Sequence, residues 1–458
     1  MLKTHSRQVY QIAALATVIL FFFSILRHIL FKSNAYDLGI FDQAIYLISK
    51  GESPFSSLMG FHILGDHAAW ILYLLAIPYK IFPSLYWLLL LQSLAMAMGV
   101  LPLWQLAKFA NLSDNQSFTV VLIYLLYPAI FNINLFDFHP DVLGLPLLFL
   151  AVLSAKKKNI LSFLVSILLI LGCKEIFSLT VVALGLWLLF FEKRRSYGLI
   201  AIVSGSIWFL IATQVIIPYY SHAEAAAVGR YSFLGKSVLE ASENIFLKPW
   251  LIVSHIINKA NLEYLAYLLL PIAWALSFKS VSNLLPAVPA LALNLITDYQ
   301  PQKDLTHHYS IPILPFLMLV VIAGMSAGRG KYARIWALIC FLVFAKYLYF
   351  SGNYLNSLDT WQATREAISR IKDKASVLTW AEVVPHLSQR QYIVLLNDKT
   401  RAGDLQNYDH ILLNQRHPGW LTSAETVSNI ISTIQKEPNF KLDYQKDGVF
   451  LFEKGHIK

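Results

Sequence analysis

A chain of 458 residues in which 57% are apolar and 14% charged is too poor in charge for a soluble globule, where about a quarter is usual. Its net charge of +10 is spread as small clusters between apolar stretches, not along one basic face, which excludes nucleic acid as a partner and points to membrane topology. Cys173 and Cys340 lie far apart in or beside apolar segments and offer neither a disulfide framework nor a zinc spacing.

Lys3 and Arg7 precede an apolar run from Val9 to Leu30 that is longer than a signal-peptide core and lacks a small-residue cleavage site. It reads as a retained anchor. Further basic clusters fall at Lys156–Lys158, at Lys193–Arg195, and at Arg329, Lys331 and Arg334, with Lys108 and Lys279 at smaller turns. Setting all of them on the cytoplasmic side gives about eleven spans, at 9–31, 86–107, 117–134, 141–155, 159–172, 176–191, 197–217, 262–278, 281–296, 310–327 and 332–350. The fold expected is a mostly α, polytopic membrane helix bundle over 1–354, in a bacterial plasma membrane. Its N-terminus is cytoplasmic, and a small α/β domain over 355–458 is extracytoplasmic.

The run from Ala68 to Phe82 decides the sidedness. If it crossed the bilayer, all three basic clusters would face outward, so it is read as interfacial or re-entrant, within a first external loop over about 32–86. Earlier in that loop Leu38, Phe41, Ile45 and Ile48 make one apolar helical stripe, with Asp42, Tyr46 and Ser49 on another face. Such a helix lies flat on the membrane with the carboxylate of Asp42 pointing up. Asp37, just before the stripe, reads either as an N-cap or as a functional acid.

On the external side this topology gathers Asp37, Asp42, His67, Asp137, His139, Asp141, Lys174, Glu175, Arg230 and His308, while inner loops hold mostly Lys and Arg. Acids and imidazoles at the ends of several spans can bind a metal or exchange protons. Asp137-Phe138-His139-Pro140-Asp141 puts three possible metal ligands in five residues, with Pro140 suited to a first helical turn. Its plainer reading is a polar turn. Thr306-His307-His308-Tyr309-Ser310 opens a later span, and its adjacent histidines must diverge, leaving one for a phosphate or substrate hydroxyl.

From Asp359 the chain becomes charged and mixed. Helices are predicted over Trp361–Ile371 and Ala424–Gln435, strands over Ser376–Trp380, Tyr392–Leu396 and His410–Leu413, and a hairpin joins Phe440–Tyr444 to Val449–Phe452. The segment has no glycine-rich phosphate loop or nucleophile elbow, so recognition or support is expected of it.

Tyr36-Asp37-Leu38-Gly39-Ile40-Phe41-Asp42-Gln43, Gly65-Asp66-His67, Phe136 to Asp141, Arg230-Tyr231-Ser232-Phe233-Leu234 and His308-Tyr309 together resemble the recurring blocks of a bacterial membrane family, the domain of unknown function 2079. That family is similar to the GT-C superfamily of polyprenyl-phosphate-dependent glycosyltransferases. The resemblance implies sugar transfer from a lipid-linked donor, with membrane lipid as a partner, to a glycan, lipid or protein acceptor outside the membrane. Asp37 or Asp42 would be the catalytic base. Asp137, His139 and Asp141 would sit near the donor phosphate or a divalent metal, Mg or Mn. The chain lacks the Asp-Glu pair usual in the first loop, since Leu38 follows Asp37.

A departing phosphate needs positive charge. Arg230, with its planar fork, is the first choice, and His67, Lys174, Glu175, His308 and Tyr309 complete the expected substrate site. Two other classes share these features: a transporter or flippase with an acid and histidine proton relay, and an inactive binding scaffold.

Overall fold

A computed structural model describes residues 2–455, so Met1 and 456–458, the outermost residues of the two expected domains, lie outside the described residues. The chain forms two compact units, one of Met1–Phe22, Leu64–Ile71 and Leu90–Lys346, the other of Phe23–Ile63, Leu72–Leu89 and Tyr347–Lys458.

The first unit is a helix bundle. Among the described residues six helical stretches are long and apolar enough to cross a membrane: Arg7–Ile29, Tyr86–Phe109, Asp114–Phe136, Arg195–Ser221, Phe278–Ile296 and Ala333–Leu355. The other expected spans coincide with shorter elements, including Asp141–Lys157, Ile160–Leu171, Phe177–Phe190 and Leu314–Ser326. Helix length by itself supports six of the eleven expected crossings and leaves the other five untested. Part of the shortfall has a local cause, since Pro271 lies in 3-10 backbone over Leu270–Ala275 that ends the helix Lys259–Leu269.

Helix pairing follows side-chain size. On Arg195–Ile211 the small residues Gly198, Ala201 and Gly205 are buried, while Leu199, Val203, Ile207 and Leu210 are exposed, as lipid-facing residues are. A Cβ at Gly185 would lie 2.7 Å from the carbonyl oxygen of Gly198, so Phe177–Phe190 approaches this helix at backbone distance. Some polar groups inside the bundle are bonded to one another or to backbone, as a dry interior favours: Asn134 Nδ2 donates to Leu20 O at 2.8 Å and Ser93 Oγ to Asn134 Oδ1 at 3.0 Å.

The second unit joins the first loop to the C-terminal segment. Its main sheet has strands β3 (Val377–Thr379), β4 (Ile393–Leu395), β5 (His410–Asn414), β6 (Phe440–Lys446) and β7 (Val449–Lys454), following a two-residue pairing of β1 (Phe55–Ser56) with β2 (Phe61–His62) in the loop. The order is β4-β3-β5-β7-β6, with the first three parallel and the last two an antiparallel hairpin. Alternation sends Val377, Ile393, Leu412 and Leu451 to one face and Leu378, Ile411, Leu413 and Phe452 to the other. Helix Trp361–Arg370 covers the first face through Ala363 and Ala367, and helix Ala424–Ile434 covers the second through Val427, Ile430 and Ile434. The predicted helices, strands and hairpin all fall on observed elements.

Phe31, just before the first loop, and Ala35, within it, are buried in the first of these cores. Trp361 Nε1 donates to Ile29 O at 2.8 Å and Lys32 Nζ to Ser357 Oγ at 2.9 Å. The loop's apolar stripe does form a helix, Ile40–Lys50, but a π-helical turn, Ala35–Gly39, precedes it. The N-cap is Asn34, whose side chain accepts from Tyr36 N, and Asp37 lies inside the first turn. Nor does Asp42 point up into solvent: the helix is covered on that side as well, and Asp42 is fully buried. Helix Leu72–Ile81, in the run kept outside the bilayer, has 10 residues and would span only about 15 Å of a 30 Å core.

Candidate functional site

In the bundle unit, four loop segments bring polar side chains to one place. The turn after Pro128–Phe136 turns sharply at Asp137, whose φ of +106° is left-handed, and Pro140 then starts Asp141–Lys157. The turn 172–176 separates two apolar helices and carries Lys174 and Glu175. Segment 64–71 is fastened to that turn by Glu175 N donating to His67 O at 3.2 Å and Ile71 N to Gly172 O at 3.1 Å. Gly172 is required there, because a Cβ would meet the Trp70 ring at 2.5 Å. Finally, His308–Ser310 forms a short 3-10 turn ahead of Leu314–Ser326.

Asp141, Lys174, Glu175, His139 and His308 are all buried. Lys174 Nζ lies 3.5 Å from Asp141 Oδ2 and 3.3 Å from His308 Nε2, which is itself 3.7 Å from Asp141 Oδ2. The rings of His139 and His308 stack at 3.9 Å. Burial, then the neighbouring His139 and Lys174, hold the His308 imidazole well below its ordinary pKa, so it is neutral. If its Nε2 accepts from Lys174, the proton sits on Nδ1, a buried atom with no hydrogen-bond partner among the described residues.

A second, adjoining chain runs Asp66–His67–Glu175, with His67 Nδ1 3.1 Å from Glu175 Oε2 and Nε2 3.4 Å from Asp66 Oδ2. Burial alone would lower the pKa of His67, but Asp66 and Glu175 together raise it. Glu175 moves the other way: burial favours its neutral form, and His67 and Lys174 outweigh that to lower it. Lys174 is raised, because Asp141 and Glu175 more than offset its burial.

Arg230, on the 3-10 turn Ala226–Tyr231, stacks over the rings of Tyr299 at 4.4 Å and Tyr309 at 5.2 Å. It donates to Gln302 Oε1 at 3.2 Å, and Gln302 Nε2 in turn donates to the Tyr231 hydroxyl at 2.7 Å. Lys174 Nζ lies 5.7 Å from the same Tyr309 ring. Arg230, Tyr231, Gln302, Tyr309 and Lys174, with His67, Asp141 and Glu175, line a cavity of about 70 Å³. The structure thus gathers Asp141, Lys174, Glu175, His67, Arg230, His308 and Tyr309, with His139 behind His308. The histidines of the 306–310 block diverge as adjacent residues must, since His307 Nδ1 pairs with Asp304 at 2.8 Å.

Tyr299, Gln302 and Tyr231 were not foreseen as site residues; the Arg230-Tyr231 pair was the one local signal. Asn294, donating to Tyr264 and to the carbonyl of Tyr309, supports the same wall and left no local signal.

The three expected metal ligands behave differently. Among the described residues no group of three His, Cys, Asp or Glu side chains is placed to hold a metal ion. Asp141 faces the ammonium of Lys174, so a positive charge already stands where Mg or Mn would have to approach that carboxylate.

Asp37 and Asp42 belong to the other unit. Asp37 is half-buried. Asp42 accepts from the Tyr79 hydroxyl at 2.7 Å, the Ser388 hydroxyl at 2.6 Å and Gln389 Nε2 at 3.3 Å. Burial raises its pKa, against the pull of those three bonds. The next residue, Gln43, is held as firmly, exchanging bonds with Ser57 and donating to the carbonyls of Arg390 and Gln391.

Fold and site together define a multi-pass membrane protein with a buried, charged cavity at the helix ends. The chain belongs to the family described as "Predicted membrane protein (DUF2079)", whose model matches residues 27–451. No functionally curated protein matches the sequence significantly. Among solved structures the fold is similar to that of ArnT from Cupriavidus metallidurans bound to undecaprenyl phosphate, at 10% identity and a TM-score of 0.55, covering 98% of each chain. The same protein in its apo state matches with 11% identity, a TM-score of 0.55 and 98% coverage of both chains. At such identity the likeness establishes a shared fold.

Proposed function

We propose that the chain is a membrane glycosyltransferase that moves a sugar from a polyprenyl-phosphate donor to a glycan, lipid or protein acceptor outside the membrane. The observation that carries this reading is the pair of cations, Arg230 and Lys174, on the Tyr309 ring at the wall of a small cavity. Guanidinium and ammonium groups in a dry site suit a phosphate, whose charge grows as the sugar leaves. The fold shared with a protein that holds undecaprenyl phosphate supports the same donor class.

In this reaction the acceptor hydroxyl attacks the anomeric carbon, the bond from that carbon to the phosphate oxygen breaks, and a carboxylate takes the hydroxyl proton. Asp37 is the proposed base, the role that the resemblance of its first-loop block implies. No metal step is part of the reading: Lys174 and Arg230 supply the positive charge. A proton relay through His67, Glu175, Lys174 and Asp141 is the rival, favoured by the near-continuous chain of ionisable groups.

The test is retention of undecaprenyl phosphate by the purified protein in native mass spectrometry, followed by transfer from a polyprenyl-phosphate sugar. Wild type should retain the lipid and Arg230→Ala should lose it. Asp37→Asn should retain it while transfer falls by about 10²- to 10⁴-fold. Lipid retention indifferent to Arg230, or proton-coupled uptake without transfer, would remove the assignment. Sidedness is tested separately: cysteines at Lys236 and Glu425 should react with an impermeant thiol reagent in intact cells, and one at Lys157 should not.

A further inference from the structure

The C-terminal sheet contains a switch in winding direction. From β3 the chain passes to β4 on one side and then to β5 on the other, with all three strands parallel. In open α/β sheets the crevice beyond the carboxyl ends of the strands at such a point is where ligands bind. A cavity of about 270 Å³ lies there, walled by Trp380 and Glu382 after β3, by Asn414 and Gly419 at the end of β5 and after it, and by Lys32 and Ser357.

Its chemistry is mixed in sign. Glu382 presents a buried Oε2 with no hydrogen-bond partner among the described residues. Gly419, at φ +88°, keeps space beside that oxygen, because a Cβ there would stand 3.1 Å from it. Lys32 spends one N–H on Ser357 and has two more to give. Arg416 and His417 also border the cavity, but both are paired with Asp359, at 3.4 and 2.7 Å. A ligand therefore meets one oxygen that only accepts and one ammonium that only donates, in a cavity also lined by Ser357, Thr360 and Thr364. A simple anion would be repelled by Glu382 and a simple cation by Lys32. Adjacent hydroxyl groups, each able to donate and accept, satisfy both. The loop then runs from Gly419 into Trp420, which is exposed and meets the exposed Tyr36 edge-to-face at 6.3 Å. Exposed aromatic faces of this kind suit the C–H face of a sugar ring.

We propose that this cavity is a saccharide-binding site, in which Glu382 and Lys32 hold vicinal hydroxyls and Trp420 with Tyr36 offers the stacking surface. The site lies wholly within the second unit and does not depend on the transfer reading. The test uses the full chain in a detergent without a sugar headgroup and a panel of methyl glycosides of neutral hexoses and pentoses with their disaccharides. Binding is read by saturation-transfer NMR and tryptophan fluorescence, with inorganic phosphate as a separate arm. At least one saccharide should bind, Glu382→Gln should weaken it by about tenfold or more, and the exposed-site variant Trp420→Ala by several-fold, with unchanged melting temperatures. Arg230→Ala should bind the same saccharide normally, so failure of the donor site leaves this result intact. Binding of no panel member, binding indifferent to both variants, or capture of phosphate in place of saccharide would each overturn the proposal.

Discussion

Asp42 and Asp141 are both buried carboxylates, and their surroundings could hardly differ more. Asp42 receives hydrogen bonds from two hydroxyls and an amide, all neutral and two of them short. Asp141 faces an ammonium at 3.5 Å and a neutral imidazole at 3.7 Å, beside a cavity. Neutral donors at full contact fix a carboxylate in place. Charged neighbours at longer range leave it able to exchange partners when a ligand enters. An acid's surroundings, more than its burial, separate a structural tie from a working group.

The comparison breaks most visibly at Lys174. Lys174→Met should cost about 3–5 kcal/mol of stability, because it leaves Asp141 buried without a counter-charge. Joined with Asp141→Leu it should recover most of that loss in a thermal scan yet still fail to retain undecaprenyl phosphate. A double variant as unstable as the single one would show that the pair is not an isolated charge couple. Of similar size is Asp42→Ala, expected to cost about 1–3 kcal/mol for each donor left unpaired, with Asp42→Asn milder because its carbonyl still accepts. Transfer per folded molecule should not change in the Asn variant, and a large fall in it would give Asp42 a chemical role after all.

The smallest effect is in pH. His67 is raised above its ordinary 6.5, so its contribution to stability is complete below that value and fades as pH rises through the folded value. Glu175 is lowered from 4.5, so its contribution is complete above that value and fades as pH falls through the folded one. Melting temperature should therefore be flat between pH 4.5 and 6.5 as far as this pair decides it. His67→Gln should remove the alkaline slope attributable to the pair. An unaltered profile would mean that His67 is not charged against Glu175.

Features written in local pattern were legible in the sequence. The strands after Ser376 alternate, and Lys446-Asp447-Gly448 marks the final hairpin. The blocks at 137–141 and 306–310 stand where apolar runs begin, and the structure brings Asp141 and His308 together from them. What failed depended on distant partners. Nothing near Asp42 announces Ser388, 346 residues away, which is why that helix was expected to lie open on the membrane. The helices Val238–Leu247 and Pro249–Ile256 fall between the expected spans 197–217 and 262–278, where no helix is expected, although Ser237 accepting from Glu240 N is an ordinary N-terminal cap.

The core shared by Phe31, Ala35 and the C-terminal sheet also sets a timetable for synthesis. Trp361, which bonds to Ile29, leaves the ribosome 332 residues later, an interval of roughly 15 to 70 s at ordinary elongation rates of about 5–20 residues per second. Through that interval the first loop has an apolar surface with no cover, and Asp42 lacks two of its three donors. A chaperone or a protease at the membrane would meet the beginning of this protein as an unfinished fold until its end arrives. Premature stop codons anywhere before the last strands should consequently yield chains that are cleared, even with every bundle helix already made.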